Sequence, residues 1–324
     1  METEINCVMN DKNLAKRESY SVKSIRKKFA EHGVFYTDEK LARMLRDIVA
    51  AYGSVTEVYD PTCGNGNLLN VFPDEVCKYG QELDPTQAEE ARRRLVNCEI
   101  VAGDTLLNPA FSDRKFKHIV ANYPFSVKWE PRPDARWDDA PCLPPPSRAD
   151  YAFIMHIIHM MADNGVAAVL GFPGILYRGQ REGKIRQWIV ECNLIESVML
   201  IEGGYFEDTK VATALIVLRK GKTDGRITFA DHETGKEYVA DFGEIQRNDF
   251  NLSPSAYIPQ EEKAVDFDPE AKEKEARADI LRRLRAQLEF SKATIQLHHM
   301  LGLPPLPPIS EFVTDIRQII NQYE

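Results

Sequence analysis

The chain has 324 residues, enough for one large domain with appendages or for two domains. Hydrophobic residues make up 43% of it, which suits a globular protein with a full core, and no run approaches the roughly 18 apolar residues of a membrane span. The net charge of -9 disfavours nucleic-acid binding by the chain as a whole, because contacts to phosphate need Lys and Arg.

The cysteines, the histidines and the amino-terminal stretch limit the class of protein. Six cysteines are widely spaced and form no Cys-x-x-Cys pair, which argues against zinc knuckles and against a disulfide framework. His156 and His159 share a predicted helix, but no set of acidic residues or cysteines complements them, so we predict ordinary helix residues. The amino-terminal stretch is polar and contains no apolar signal core. We therefore expect a cytoplasmic protein without a membrane anchor and without a metal.

Predicted strands and helices alternate along most of the chain. Helical patterns come first, over about residues 11–31 and 38–51. The predicted strands are 55–60, 77–83, 99–103, 118–121, 166–172, 197–201 and 211–219, and the predicted helices between them are 68–71, 86–96, 151–162 and 184–192. This alternation with short loops indicates a mostly parallel sheet covered on both faces. A short segment joins the last two strands, so we expect them to pair antiparallel at one edge.

The remaining segments are predicted from composition. The proline-rich loop, residues 126–149, cannot form regular structure, and a loop this long beside a candidate site is more often functional than idle. Residues of about 224–245 suggest a small β extension, and 268–301 a charged helix, from which a stiff proline-rich link leads to a last short helix. The predicted boundaries are 1–32 for an amino-terminal helical segment, 33–223 for the catalytic domain, 224–265 for the β extension and 266–324 for a carboxyl-terminal helical segment.

The glycine loop, Asp60-Pro-Thr-Cys-Gly-Asn-Gly-Asn-Leu-Leu69, follows the first predicted strand. Gly64 and Gly66 make a tight turn that opens a helix and lets the backbone approach a ligand. Leu69 replaces the third glycine of a dinucleotide fingerprint, so a nucleoside fits better than a pyrophosphate. Asp60 can attract the positive amino group of a bound methionine moiety.

Acidic residues end the next two predicted strands. Glu82 can accept hydrogen bonds from both ribose hydroxyls, as acidic residues do at that place in such folds. Asp104 can accept a hydrogen bond from an adenine amino group. The alternative is that both side chains merely cap helices. Because they follow the glycine loop at successive strand ends, we favour a site for a nucleoside that ends in an amino acid, as S-adenosylmethionine does.

The Asn-Tyr-Pro-Phe turn, residues 122–125, follows the next predicted strand. The side-chain oxygen of Asn122 and the backbone carbonyl of Tyr123 can both accept from one amino group, which localises the nitrogen lone pair on a methyl sulfonium. Phe125 can stack on a planar base that has been flipped out of a duplex. The alternative is an ordinary turn with Phe125 in the core. The turn predicts methyl transfer to an exocyclic nitrogen, with adenine N6 in DNA as the favoured acceptor.

These motifs resemble those of the N6-adenine DNA methyltransferases, and most closely the modification subunit of type I restriction-modification systems. Gly33-Val-Phe-Tyr-Thr-Asp38 is similar to a segment in which the family holds S-adenosylmethionine, which implies that Phe35 and Thr37 contact the cofactor. In addition to the residues already named, the resemblance implies that Thr62 and Asn122 contact the cofactor. Further similar segments are Gly80-Gln-Glu-Leu-Asp-Pro85, Gly103-Asp-Thr-Leu, Arg148-Ala-Asp-Tyr-Ala-Phe153, Phe172-Pro-Gly-Ile-Leu-Tyr-Arg-Gly179, Glu182-Gly-Lys-Ile-Arg186 and Asp249-Phe-Asn-Leu252.

The resemblance implies a fold, an activity and two departures. The implied fold is the α/β class I S-adenosylmethionine-dependent methyltransferase fold, a Rossmann-like, seven-stranded, mostly parallel sheet with an antiparallel edge and helical appendages at both ends. The implied activity is that of a site-specific, adenine-specific DNA methyltransferase whose catalytic residues are Asn122, Tyr123, Pro124 and Phe125. Asp38 stands where the family usually has proline, and so does Tyr123. Pro124 still favours an extended Tyr123, so we expect activity to be retained.

The expected partners follow from the reaction and from the charge. DNA is the expected substrate, and basic runs at residues 12–28 and within the proline-rich loop are either solvated faces or phosphate contacts. A separate specificity subunit or a second copy could dock on the last long helix through Leu281, Leu284 and Leu288, unless that stripe packs on the chain's own core. A compact, stand-alone phage-type enzyme would also suit the length.

Two other functions stay open. A protein-glutamine methyltransferase uses a similar turn on an amide nitrogen, although the later segments favour the DNA family. A degenerate subunit would bind cofactor and DNA without turnover, since Tyr123 departs from the family turn.

Overall fold

The computed structural model describes residues 37–201, 212–259 and 269–302. Several predictions lie outside these residues: the helix of about 11–31 with its basic run, the cofactor contact of Phe35, the proline-rich link and the short helix that follows it. The chain divides into two compact units, residues 1–259 and 260–324.

The first unit is built on one nine-stranded sheet in the order β3-β2-β1-β4-β5-β7-β6-β8-β9. The strands are β1 (Glu57–Asp60), β2 (Cys77–Glu82), β3 (Cys98–Ala102), β4 (Phe116–Asn122), β5 (Met161–Gly171), β6 (Ile195–Ile201), β7 (Thr213–Arg219), β8 (Ile227–Asp231) and β9 (Glu237–Ala240). The first five strands are parallel to one another. Their carboxyl ends therefore meet at one edge of the sheet, and the strand order reverses between β1 and β4, where ligands bind in open α/β sheets.

The helices lie between the strands, as the alternation of patterns predicted. Their bounds are α1 (Glu39–Ala50), α2 (Asn67–Asn70), α3 (Pro85–Arg94), α4 (Asp150–Met160), α5 (Gln180–Glu191), α6 (Phe242–Arg247) and, in the second unit, α7 (Pro269–Met300). One 3-10 turn, Ala135–Trp137, is the regular structure described within the proline-rich loop. Helix α4 is buried along most of its length, because ten of its eleven residues are buried.

The sheet extends beyond the seven strands that were expected. β6 and β7 pair antiparallel, which confirms that part of the prediction. They do not form the edge, because β8 pairs parallel with β6 and β9 pairs antiparallel with β8. The segment predicted as a small β extension thus continues the main sheet. Because β8 pairs with β6, the edge strand on this side of the sheet is the short β9. A short edge strand limits pairing with other molecules.

Asp38, one of the two departures from the family pattern, has a local role. It is the N-cap of α1, and its Oδ1 accepts a hydrogen bond from the Lys40 backbone N–H at 2.7 Å. Its φ of -54° lies in the range that proline adopts. The aspartate therefore keeps the backbone shape of a proline and adds a cap that proline cannot supply.

The second unit consists, within the described residues, of helix α7. Leu281, Leu284 and Leu288 contact one another on it, while Phe290 and Leu297 are exposed. The described helices include none that combines the length and the apolar character needed to cross a bilayer.

Candidate active site

The glycine loop connects β1 to α2 and has the conformation that its glycines predicted. Gly64 and Gly66 have φ values of +54° and +87°, in the left-handed region that favours glycine. A Cβ at Gly66 would lie 2.8 Å from the side chain of Leu95, whereas one at Gly64 would meet no atom within 4 Å. Gly66 is thus needed for packing below the loop, and the space above Gly64 is open for a ligand.

Hydrogen bonds join the glycine loop to the loops that follow β2 and β3. The Gly64 N–H donates to Glu82 Oε2 at 2.9 Å, and the other carboxylate oxygen, Oε1, accepts from the Asp84 N–H at 2.9 Å. The Thr105 hydroxyl donates to the carbonyl of Pro61. The structure therefore brings Asp60, Glu82 and the segment after β3 together, as their positions at successive strand ends predicted.

Asp104 acts as a cap. Its Oδ1 accepts from the N–H groups of Leu106 and Leu107 at 2.8 and 3.1 Å. Residues 105–107 form a turn, so Asp104 caps a turn and not a helix, which was the alternative that the sequence left open. A carboxylate has two oxygens with about four acceptor positions, so the cap leaves acceptor capacity for a ligand. The contact of Asp104 with an adenine amino group stays a prediction.

Asp60 is buried at the end of β1, beside a second carboxylate. Only 1% of its surface is exposed, and its Oδ1 accepts from the Thr62 N–H at 2.9 Å. Burial raises the pKa of Asp60 to about 7, the negative charge of Glu82 adds to the rise, and the bonds from Thr62 oppose it. A cation beside Asp60 would favour its ionised form.

The glycine loop leaves room for a bound ligand. The side chain and the backbone N–H of Thr62 both lie against Asp60 and lower its pKa. The space above Gly64 is open, and the carboxylates of Asp60 and Glu82 flank the loop. This arrangement fits a ligand that carries both an amino acid and a nucleoside.

Asn122 ends β4 and is oriented by a threonine that precedes α1. Its Nδ2 donates to the hydroxyl of Thr37 at 3.0 Å across 85 positions of sequence. The contact uses the donor end of the amide and leaves the carbonyl oxygen, Oδ1, as the end that can accept. The sequence assigned Thr37 to the cofactor, and the structure shows it holding Asn122.

The ring of Tyr123 points into the core. The residue is 1% exposed, and its ring stacks on Phe153 with centroids 5.2 Å apart and an interplanar angle of 13°. Its hydroxyl has no hydrogen-bond partner among the described residues. Burial raises the pKa of Tyr123 well above its ordinary value, so the hydroxyl stays protonated. Tyr123 can therefore serve the site through its backbone carbonyl, and its side chain serves the core.

Phe125 and Pro124 differ in exposure. Pro124 is exposed, whereas Phe125 is 9% exposed and makes an edge-to-face contact with Tyr123 at 5.6 Å. The structure thus places Phe125 at the edge of the hydrophobic core. A position in the core was the alternative to base stacking that the sequence left open. Stacking of Phe125 on a base stays a prediction.

Comparison with known proteins places the chain in a family. The family described as N-6 DNA Methylase matches residues 20–240, which is more than half of the chain. The chain belongs to the N-6 DNA Methylase family. This membership confirms the resemblance that the motifs of the glycine loop and the Asn-Tyr-Pro-Phe turn predicted.

Relatives of this N-6 DNA Methylase chain include subunits of type I restriction enzymes. The MpnII methylase subunit of Mycoplasma pneumoniae is 31% identical over 220 residues, which cover 59% of this chain and 40% of that protein. The HindI methylase subunit of Haemophilus influenzae is 25% identical over 299 residues, which cover 72% of this chain and 66% of that protein. The chain thus spans less than half of the first relative's length.

Solved structures share the fold of this family member. The methyltransferase subunit of a type I restriction-modification system from Streptococcus thermophilus is 27% identical, with a TM-score of 0.65 over 69% of this chain and 59% of that chain. A protein assigned to the class I S-adenosylmethionine-dependent methyltransferases, from Listeria monocytogenes, is 18% identical, with a TM-score of 0.51 over 66% of this chain and 74% of that chain. The predicted fold class is confirmed.

The sequence did not reveal two residues that support the site of this N-6 DNA Methylase member. Asp150, in the family segment Arg148-Ala-Asp-Tyr-Ala-Phe153, accepts from the Ser126 N–H directly after the Asn-Tyr-Pro-Phe turn. Arg136, in the proline-rich loop, donates to the carbonyls of Thr105 and Leu106 beside Asp104. The family segment was the available signal for Asp150, and no local pattern marks Arg136.

Proposed function

We propose that this chain transfers a methyl group from S-adenosylmethionine to the N6 amino group of adenine in DNA. The observation that carries the proposal is the hydrogen bond from Asn122 Nδ2 to Thr37. This bond fixes the orientation of the amide, so that its oxygen, Oδ1, is available to accept from a substrate. An acceptor at the carboxyl end of β4, beside the glycine loop of β1, suits an amino group that must meet a methyl donor.

The cofactor would be held by residues of the first three strand ends. Asp60 and Thr62 would take the amino-acid part, the backbone of Gly64 and Gly66 would allow close approach, and Glu82 and Asp104 would accept from the ribose and the adenine. When bound, S-adenosylmethionine supplies an electrophilic methyl group on a positively charged sulfur. Thr37 and Phe35 complete the proposed set, with Thr37 acting through Asn122.

The acceptor side of the reaction needs orientation more than a strong base. Asn122 Oδ1 and the Tyr123 carbonyl would accept the two hydrogens of the adenine amino group, which localises the nitrogen lone pair toward the methyl donor. The base must first leave the duplex, since pairing buries its amino group. The exposed Pro124 and the rim residue Phe125 would lie against that base.

DNA recognition would require more than this chain. The chain spans 40% and 39% of the first two relatives, both named as methylase subunits. We propose that a separate specificity subunit or a second copy supplies target recognition and docks on α7. Exposed Phe290 and Leu297 lie seven residues apart, about two helical turns, on that helix and could form the contact.

The proposal is tested first with Asn122→Ala in the cell that carries the gene. We expect a set of N6-methyladenine positions, mapped by sequencing of native DNA, to disappear in the variant. With purified protein, loss of one such acceptor should lower the rate of tritium transfer from labelled cofactor to DNA by about 100-fold to 1,000-fold. Asn70→Ala, at an exposed asparagine that ends α2, is the matched control and should keep the wild-type pattern.

The outcomes separate the rival functions. An unchanged methylation pattern in Asn122→Ala would contradict the proposal. Tritium recovered in protein instead of DNA would favour a protein-glutamine methyltransferase. Cofactor binding without transfer to either acceptor would favour the degenerate subunit.

A further inference from the structure

The first turn of α4 lies directly against the Asn-Tyr-Pro-Phe turn. Asp150 and Phe153 are three residues apart on this helix, so their side chains share one face. Asp150 contacts the backbone that leaves the turn, and Phe153 contacts the ring of Tyr123 within it. Two contacts from one rigid element therefore hold the turn at its centre and at its end.

The carboxylate of Asp150 is buried, and both of its oxygens contact the backbone N–H of Ser126. Asp150 is 0% exposed, and its Oδ1 and Oδ2 lie 3.2 and 3.1 Å from the Ser126 nitrogen, whose N–H they accept. Ser126 has a φ of +54°, which is uncommon for a residue with a side chain. A conformation of this kind persists only when its surroundings fix it.

Electrostatics keep this buried carboxyl available as an acceptor. Burial raises the pKa of Asp150 to about 6 and the negative charge of Glu182 adds to the rise, whereas the Ser126 N–H and the positive charge of Arg178 oppose it. At neutral pH the group is therefore mainly a carboxylate. A carboxylate accepts more strongly from an N–H than a neutral group does.

The Phe153 contact depends on the residue that departs from the family pattern. Tyr123 stacks nearly parallel on Phe153, and Gly171 at the end of β5 leaves room for the tyrosine, since a Cβ there would lie 3.0 Å from the Tyr123 hydroxyl. A proline at position 123 would restrict one backbone angle but would not reach this stack. Tyrosine leaves the backbone freer and attaches it to α4 through the ring.

We propose that Asp150 and Phe153 are positioning residues that clamp the Asn-Tyr-Pro-Phe turn, and that the stack of Tyr123 on Phe153 stiffens the turn where the family's second proline is absent. The inference rests on the proposed function for its catalytic consequence. The clamp fixes the Tyr123 carbonyl and the course of the chain beside Phe125, and neither clamp residue needs to touch the substrate.

The clamp is tested first without any turnover, by amide hydrogen exchange in a peptide that covers residues 123–127. We expect exchange of the Ser126 amide to rise by about tenfold or more in Asp150→Ala and by less in Asp150→Asn, whose side-chain oxygen still accepts. Phe153→Leu, which keeps apolar volume and removes the ring face, should also raise exchange in this peptide. Ile157→Val, at a buried position on the same helix, is the matched control and should not.

Asp150→Ala could fail to fold, and for that reason Asp150→Asn and Phe153→Leu carry the same test. Unchanged exchange in residues 123–127 for both of these folded variants would overturn the clamp, whatever their activity. Increased exchange in Ile157→Val as well would also overturn it, because the effect would then report general loosening of α4.

Kinetics then test the catalytic consequence. We expect a fall of kcat of up to about 100-fold in Asp150→Ala with little change in the KM for S-adenosylmethionine, and partial recovery in Asp150→Asn. Equal loss of kcat in the Asn and Ala variants would contradict a positioning role. If the N6-methyladenine pattern of the cell is unchanged in Asn122→Ala while exchange still responds as predicted, the proposed function fails and the clamp stands.

Discussion

Tyr123 combines a favourable ring contact with an unpaired buried hydroxyl. Leaving a buried polar group without a partner costs about 1–3 kcal/mol. We therefore expect Tyr123→Phe to raise the free energy of unfolding by about 1 kcal/mol, because it keeps the stack on Phe153 and removes the hydroxyl. Denaturant unfolding measures the change, and methyl transfer should be retained.

Tyr151 provides a control for this prediction, because it is a buried tyrosine whose hydroxyl does have a hydrogen-bond partner. The hydroxyl of Tyr151, on the same helix as Phe153, donates to the carbonyl of Ile175 at 2.8 Å. Tyr151→Phe should therefore lower the free energy of unfolding by about 1 kcal/mol, opposite in sign to Tyr123→Phe. Loss of stability in Tyr123→Phe would show that its hydroxyl has a partner after all.

The proposed role of Asp60 predicts that cofactor binding depends on pH. Its raised pKa of about 7 means that the ligand-free protein holds a proton there in weakly acidic solution. Because ionised Asp60 is the form that would pair with the ligand's amino group, affinity for S-adenosylhomocysteine should be about tenfold weaker at pH 6 than on its plateau above about pH 8. Titration calorimetry across this range measures it, and a pH-independent affinity would contradict the assignment of Asp60.

The same shift affects stability with a defined sign. Between pH 4 and pH 7, roughly, the folded chain holds the Asp60 proton more tightly than the unfolded chain does. The contribution of Asp60 to the free energy of unfolding therefore falls as pH rises through that window. Asp60→Asn should remove this component of the pH dependence.

The part played by each side chain at the site could be read from the sequence only where it acts locally. The glycines of the glycine loop were predictable, because a left-handed turn after a strand requires them. The direction of the Tyr123 ring was not, since it depends on Phe153 and on the space at Gly171. Asp150 and Ser126 are 24 positions apart, and the loop between them has no periodicity. No sequence pattern therefore predicts their contact.

A buried arginine joins the proline-rich loop to the turn after β3 and to α4. Arg136 donates to Asp134, to the carbonyls of Thr105 and Leu106, and to Nδ1 of His156 at 3.1 Å. A guanidinium can only donate, so the ring proton of His156 lies on Nε2, which donates to the hydroxyl of Tyr59. Burial, reinforced by Arg136, lowers the pKa of His156 well below its ordinary value and keeps the ring neutral.

Removal of this arginine should weaken both the fold and the cofactor site. Arg136→Ala leaves several buried acceptors unpaired, so we expect a loss of about 3–5 kcal/mol in the free energy of unfolding. The cofactor affinity should fall as well, because Thr105 and Leu106 follow Asp104.

The same loop provides the control for this change. Arg132 is exposed and pairs only at the surface with Glu130, so Arg132→Ala should change stability by less than about 1 kcal/mol. Similar losses in Arg132→Ala and Arg136→Ala would show that the loop is not fixed through Arg136. Thermal or denaturant unfolding decides between the two results.

Strands and helices were predictable where burial repeats along the chain. The strand ends that carry Asp60, Glu82 and Asn122 came within a residue of their observed positions, because apolar runs stop where the sheet meets solvent. The place of β8 and β9 was not predictable. Short half-buried strands look the same whether they form a separate hairpin or extend a large sheet, and only the pairing with β6 decides.

Across the full chain, charge and length bear on the proposed recognition of DNA. A net charge of -9 gives no general attraction to DNA, and the chain spans 40% of the first relative's length. The sequence could predict neither the partner nor the target site. Both depend on surfaces that contact other molecules rather than on the periodicity that specifies a core.

A hydrogen bond at the base of the proline-rich loop affects how readily the loop can accept insertions. The Ala149 N–H donates to the Val127 carbonyl at 2.9 Å, so the two ends of the loop are joined beside the Asn-Tyr-Pro-Phe turn. Each doubling of a closed loop's length costs only about 0.6 kcal/mol. Insertions at the exposed positions 138 and 139 therefore leave the closure intact. The loop can therefore change in length and sequence there without moving the proposed catalytic turn.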